Sequence, residues 1–278
     1  FDQHAPPNDV HLEERMRSAR DIMSPYTSVA DAAKLLEANR ATHVVINNRF
    51  PPGLKLEYWA MTTDMFPSIR GKFDSQPDVF ERINNDEAFV VYRWTGRPGG
   101  ADEVFDRPFV LDKLPGDFNA IGQPAGQAII EGIRLNGGPL TRGGQIDIGL
   151  VWSGSSEYRF RNYVVAVRFD HVNPELPLGG KPFPKISRKF KEKFTGQRYR
   201  FSEYHKIRNG FLSPDTWRAG DFILDETSLR IPLNAAPGEY DIHVKLLEMK
   251  HQPTHWLRDY FFDDDSYQGV RATRITIK

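Results

Sequence analysis

Tyr240, Ile242, Val244 and Leu246 alternate with Asp241, His243 and Lys245, the pattern of a strand with one buried face and one wet face. The same period of two recurs through most of the chain beyond Gly100. Ile146, Ile148, Leu150 and Trp152 share one face, Tyr163, Val165, Val167 and Phe169 share another, and Ile275 and Ile277 supply a terminal strand. Glycine and proline turns separate these runs. Gln127 to Leu135 leads into Asn136-Gly137-Gly138-Pro139, and Pro237-Gly238 places a residue with φ fixed at about −65° before one that tolerates positive φ. Many short strands divided in this way predict two antiparallel sheets packed face to face, a β-sandwich of immunoglobulin-like or jelly-roll-like type. Trp152, Tyr163 and Tyr240 are expected to point into the seam between the sheets.

Before Gly100 the periodicity is mixed. Leu12, Met16, Ala19 and Met23 fall on one helical stripe between Asp9 and Met23, with a stop at Pro25. Ser28 is placed to cap a helix beginning at Val29, with Asp31 at its third position and Ala32, Leu35 and Leu36 facing inward. Thr42 to Asn47 reads as a buried strand, Pro77 as the opening of a short helix over Asp78 to Ile83, and Ala88 to Trp94 as a returning strand. Arg97-Pro98-Gly99-Gly100 marks a break in regular structure. The expected fold class is therefore α+β, with a small α/β lobe over 1–97 and an antiparallel sandwich over 101–278 that carries polar insertions near 181–209 and 251–268.

Composition removes several function classes. The 278 residues hold 37 basic and 37 acidic side chains, so no global field draws the protein to nucleic acid or to an anionic membrane, and no nucleic-acid-binding motif accompanies its local charges. With no cysteine there is no disulfide, thiolate metal site or cysteine nucleophile. No apolar run approaches the roughly 20 residues needed to cross a bilayer as a helix. The chain begins with Phe1 and shows no signal-peptide pattern, so a cut from a longer polypeptide is expected.

Charge is instead concentrated locally. Residues 185–208 hold nine basic and two acidic side chains, a net +7 in a chain of zero formal charge. Lys185, Arg188, Lys189, Lys191, Lys193, Arg198 and Arg200 interleave there with Phe190, Phe194, Tyr199, Phe201 and Tyr204. Such a surface suits phosphate head groups, a phosphorylated lipid carrier or stacked sugars. The competing reading is a solvated face whose aromatics pack inward and whose charges pair elsewhere. Trp256 and Tyr260 in the second insertion are candidates for a sugar-stacking platform or for capping one end of the sandwich. His251, His255, Asp259 and Asp263 to Asp265 carry metal-ligand chemistry without metal-ligand spacing, so no metal and no cofactor is expected. Asp225 and Glu226, being neighbours on a strand, point to opposite faces and do not form a catalytic carboxylate pair.

Four stretches in the second half carry a resemblance: G-G-Q-I-D-I-G-L-V-W at Gly143 to Trp152, N-Y-V-V-A-V-R-F-D at Asn162 to Asp170, S-P-D-T-W-R-A-G-D at Ser213 to Asp221, and I-P-L-N-A-A-P-G-E-Y at Ile231 to Tyr240. Their order resembles a β-sandwich domain attached to bacterial membrane glycosyltransferases of the polyprenyl-phosphate-sugar-dependent, protein-mannosyltransferase-like class. In the lobe, Val29 to Ile46 and Pro77 to Tyr92 are similar to the small α/β unit that follows the last membrane helix of those enzymes. The resemblance implies an extracytoplasmic accessory region, periplasmic or at the cell surface and tethered to the membrane in the full-length protein. It also implies that the chain is not catalytic by itself, because the acidic catalytic residues of that class lie in loops between membrane helices. Carbohydrate, a lipid-linked sugar and an anionic membrane surface are the implied partners. The alternative expectation is a secreted carbohydrate-binding or adhesion module.

Overall fold

The computed structural model describes residues 10–47, 65–100, 106–126, 128–154, 163–172, 184–248 and 269–278. The chain divides into two compact units, Phe1–Pro108 with Arg208–Leu212, and Phe109–Ile207 with Ser213–Lys278. Among the described residues there are three antiparallel sheets and four α-helices, an α+β fold with a sandwich in the second unit. No helix among these residues is long and apolar enough to cross a membrane.

The first unit contains α1 (Val10–Met23), α2 (Val29–Ala38), β1 (His43–Asn47), α3 (Phe66–Asp74), β2 (Phe80–Asn85) and β3 (Phe89–Trp94), with sheet order β1-β3-β2. Ser28 caps α2 as its position requires: its Oγ accepts from the Asp31 amide at 3.0 Å and donates to Asp31 Oδ2 at 2.9 Å. Ala32, Ala33 and Leu36 are buried on the inner stripe of α2, while Leu35 is only half-buried. On α1 it is Ile22 that is buried, with Met23 half-buried beside it; the side chains of Leu12 and Met16 lie outside the described residues. The strand at His43–Asn47 buries Val44 and Ile46 and leaves Val45 54% exposed, so it is one-sided rather than buried throughout. Gly99 approaches α2 so closely that a Cβ there would lie 2.4 Å from the Ala30 nitrogen.

A further expectation in this unit is overturned. The segment after Pro77 is not a helix: Phe80 N donates to Gln76 O at 3.0 Å to close a turn, and Phe80–Asn85 continues as β2. A helix of six residues cannot recover its nucleation cost alone. Pairing with β3, through Phe80↔Trp94, Glu81↔Arg93 and Arg82↔Tyr92, supplies hydrogen bonds and packs Phe80 edge-on against Phe73 with ring centroids 4.8 Å apart.

Lys72 on α3 is 1% exposed, and its ammonium donates to the carbonyls of Ile22 at 2.9 Å and Ser24 at 2.8 Å, which closes the C-terminal end of α1. Burial pushes Lys72 down to about 7, against smaller upward pulls from Asp21 and Asp31. With the unfolded lysine titrating at 10.5, the unfolded chain holds this proton more tightly throughout that window. The cost is fully present below pH 7, and stability rises as pH increases toward 10.5. Across the window, the unfolding free energy of the parent is expected to gain on that of Lys72→Met by up to about 1.4 kcal/mol per pH unit, measured by chemical denaturation. A parent-to-variant difference that does not change with pH contradicts this.

The second unit contains β4 (Val110–Leu111), β5 (Asn119–Pro124), β6 (Ile129–Asn136), β7 (Gln145–Ser153), β8 (Tyr163–His171), α4 (Pro184–Thr195), β9 (Arg200–His205), β10 (Phe222–Arg230), β11 (Gly238–Glu248) and β12 (Val270–Ile277). A five-stranded sheet runs β4-β10-β7-β6-β5 and a four-stranded sheet runs β12-β11-β8-β9. Their inward rows fill the seam: Ile146, Ile148, Leu150 and Trp152 from one sheet, and Tyr163, Val165, Val167, Phe169, Tyr240, Ile242, Val244 and Leu246 from the other, all buried. Trp152, Tyr163 and Tyr240 are at most 1% exposed, as the alternation predicts. Tyr240 spends its hydroxyl inside the protein, 2.7 Å from Ala236 O and 3.0 Å from Arg198 O. Burial accordingly pushes that phenol well above its ordinary range. The corner before β11 needs its glycine, because Gly238 has φ +138° and a Cβ there would lie 2.5 Å from the His171 ring.

Candidate functional site

The basic segment folds as α4, a turn, and β9. Pro184 stands at the first helical position, and Gly196, with φ +68°, ends the helix as its amide donates to Glu192 O at 2.9 Å. Over its described side chains, 188–195, the polarity of α4 is inverted. Arg188 is buried, and its Nε lies 3.8 Å from Oε1 of Glu192, the single acidic residue of the helix. Glu192 Oε1 also accepts from the Tyr199 amide at 3.0 Å, so the inward side of the helix is held by charge and hydrogen bonds. Phe190 and Phe194, one turn apart, are 50% and 82% exposed, with ring centroids 6.3 Å apart. Lys189 and Lys193 are exposed on one flank of this pair. On the other flank Lys191 Nζ lies 4.6 Å from the centroid of Tyr199.

The remaining expected site residues divide into separate environments. Tyr199 is buried edge-on against His171, with centroids 5.3 Å apart. Arg198 is exposed, and its backbone pairs with the corner before β11 through Arg198 N to Asn234 O at 2.7 Å. Arg200 belongs to a cluster on β8, β9 and β11, where it pairs with Asp170 together with Arg168 Nε at 2.8 Å and His243 Nδ1 at 3.0 Å. Burial pushes the Asp170 carboxyl up, but the His243 imidazole beside it and the charges of Arg200 and Arg168 outweigh it and hold the group well below the usual carboxylate range. Tyr204 is half-buried on β9. Lys185 lies on α4 with its side chain outside the described residues; Trp256, Tyr260 and the whole His251 to Asp265 cluster lie outside the described residues. The structure thus gathers Arg188, Lys189, Lys191 and Lys193 on one helix and commits Arg200 to an ion cluster elsewhere.

A buried polar group lies in the seam itself. Asp225 takes an inward position between Ile223 and Thr227 on β10 and is 1% exposed, while Glu226 turns outward to Arg134 at 2.9 Å. Asp225 Oδ2 accepts from Trp152 Nε1 at 3.3 Å and meets His205 Nε2 of the opposite sheet at 2.8 Å. This is an acid facing an imidazole, which ties the two sheets together, and it is not the carboxylate pair of glycoside hydrolysis. The signal was present in the sequence as an aspartate in phase with the apolar alternation Ile223, Thr227, Leu229.

Removing His205 leaves Asp225 buried with one indole donor, so His205→Leu is expected to cost about 3–5 kcal/mol. The double variant His205→Leu/Asp225→Leu is expected to recover most of that loss, read as a double-mutant cycle from denaturant midpoints. Simple additivity of the two single losses contradicts the pairing.

No family model matches the chain, and no curated protein matches it. Among solved structures the chain is similar to the C-terminal domain of Wzt, with 17% identity over 53% of this chain and 72% of that chain and a TM-score of 0.26. A likeness this slight says nothing of function.

Proposed function

We propose that this chain is a non-catalytic, extracytoplasmic accessory region of a membrane protein of the polyprenyl-phosphate-sugar-dependent glycosyltransferase-like class. It rests on the anionic head-group layer through α4 and holds its sandwich beside the acceptor or the lipid-linked sugar. The observation that carries this reading is the inverted polarity of α4, with Arg188 and Glu192 turned inward and the Phe190–Phe194 pair turned outward between lysines. A helix kept only for stability buries its rings and solvates its charges. An interfacial helix does the reverse, because its apolar side enters the acyl boundary while its lysines meet phosphates. At about 1 kcal/mol per basic residue near an anionic surface, the lysines of α4 suffice to dock a tethered domain without anchoring a free one.

The chain is expected to sediment with phosphatidylglycerol-containing vesicles and to leave phosphatidylcholine vesicles in the supernatant, with binding that falls as salt rises. Lys189→Glu/Lys193→Glu is expected to lower the partition coefficient at least about thirtyfold at low salt, given about fivefold per basic residue removed, without moving the melting temperature. Lys191, packed over Tyr199, is left in place for this test. Equal binding of parent and variant overturns the proposal. Retention of saccharides on a glycan array, with no vesicle binding, favours a carbohydrate-binding module instead.

A further inference from the structure

The Phe190–Phe194 pair is not isolated on its end of the second unit. Leu233, in the corner between β10 and β11, is 76% exposed. Its side chain lies over the turn at 141–144, where a Cβ on Gly143 would be 2.6 Å from a Leu233 methyl carbon. Backbone hydrogen bonds join this corner to its neighbours: Gly143 N to Ile231 O at 3.0 Å, Ile231 N to Gly144 O at 2.8 Å, and Lys278 N to Leu140 O at 2.9 Å. The same corner holds the exit of α4, since Asn234 Nδ2 donates to Gly196 O at 3.1 Å and Arg198 N donates to Asn234 O at 2.7 Å. Four segments distant in sequence therefore meet at one end of the sandwich. They bring together five exposed cations, Arg142, Lys193, Arg198, Arg230 and Lys278. The acid of α4, Glu192, is turned inward, and Glu239 at the start of β11 lies 3.5 Å from Arg274.

From this we infer that the end of the sandwich formed by the 141–144 turn, the Leu233 corner and the exit of α4 is a second contact with the same anionic bilayer, with Leu233 as its apolar anchor. The inference rests on the reading of α4 as a membrane-docking helix and adds an orientation to it. The helix alone would leave the sandwich free to swing, whereas two contacts fix which end faces the lipid. Charge complementarity selects the occupant: an exposed apolar side chain within a ring of cations suits a phosphate-bearing lipid interface.

The test compares partitioning of the full chain onto phosphatidylglycerol-containing vesicles for four proteins: parent, Phe190→Ser/Phe194→Ser, Leu233→Asp, and Arg142→Glu/Lys278→Glu. Leu233, Arg142 and Lys278 are exposed, so circular dichroism is expected to show all four folded. The Leu233 variant is expected to bind about tenfold more weakly than parent. The charge-reversal variant is expected to bind at least about tenfold more weakly, with a reduced salt dependence. Loss in the phenylalanine variant, with parent-like binding by both corner variants, overturns this inference and leaves the α4 reading standing. Parent-like binding by the phenylalanine variant, or no vesicle binding by the parent, overturns that reading and this inference with it.

Discussion

The structure of the second unit depends on one constraint: two sheets whose apolar residues recur every second position must bury those rows against each other. Trp152, Phe169 and Tyr240 fill the seam, and each ring that carries a polar atom directs it to a partner, Trp152 to Asp225 and Tyr240 to Ala236 and Arg198. Apolar burial is not directional, so it brings the sheets together without fixing their offset. The Asp225–His205 contact joins the two layers at a defined point, because a carboxylate buried away from its imidazole would be left with little compensation. Register and layer packing are therefore set by different interactions.

Filling the seam also explains what is left outside. Phe201 enters the core and stacks on Phe169 with ring centroids 4.6 Å apart, and Tyr199 closes against His171. Phe190 and Phe194 precede them on a helix whose inward side is already occupied by Arg188 and Glu192. Exchanging the two sides would expose an ion pair at little gain and bury two rings at considerable gain. A chain selected for stability alone would have made that exchange. Its absence is what the proposed interfacial role of α4 accounts for.

The sequence made the sandwich legible wherever alternation was strict. β7, β8, β11 and β12 follow directly from their period-two rows, and the Pro237-Gly238 corner and the Ser28 cap follow from turn and cap chemistry. Three features were obscured, each for a physical reason. β2 lay behind Pro77, which opens helices and turns equally well, and only pairing with β3 decided the matter. β9 lay within a run of charges because an edge strand needs few inward apolar residues, here Phe201. The cluster of basic and aromatic residues on α4 was visible as a composition, but the direction of each side chain was not. Helical spacing places Phe190 and Phe194 on one side without saying whether that side faces the core, and the inward turn of Arg188 depends on Glu192 and the Tyr199 amide brought by tertiary folding.

The direction in which the outer side of α4 faces can be read at a single residue. Because the chain has no cysteine, Phe194→Cys gives one attachment point for a nitroxide, and power-saturation EPR reports whether that position meets oxygen dissolved in lipid or a nickel complex dissolved in water. On adding phosphatidylglycerol-containing vesicles, collisions with oxygen should rise and collisions with the nickel complex should fall, which places the ring position in the acyl boundary. Collision rates with both reagents that stay at their lipid-free values would contradict the interfacial role of α4.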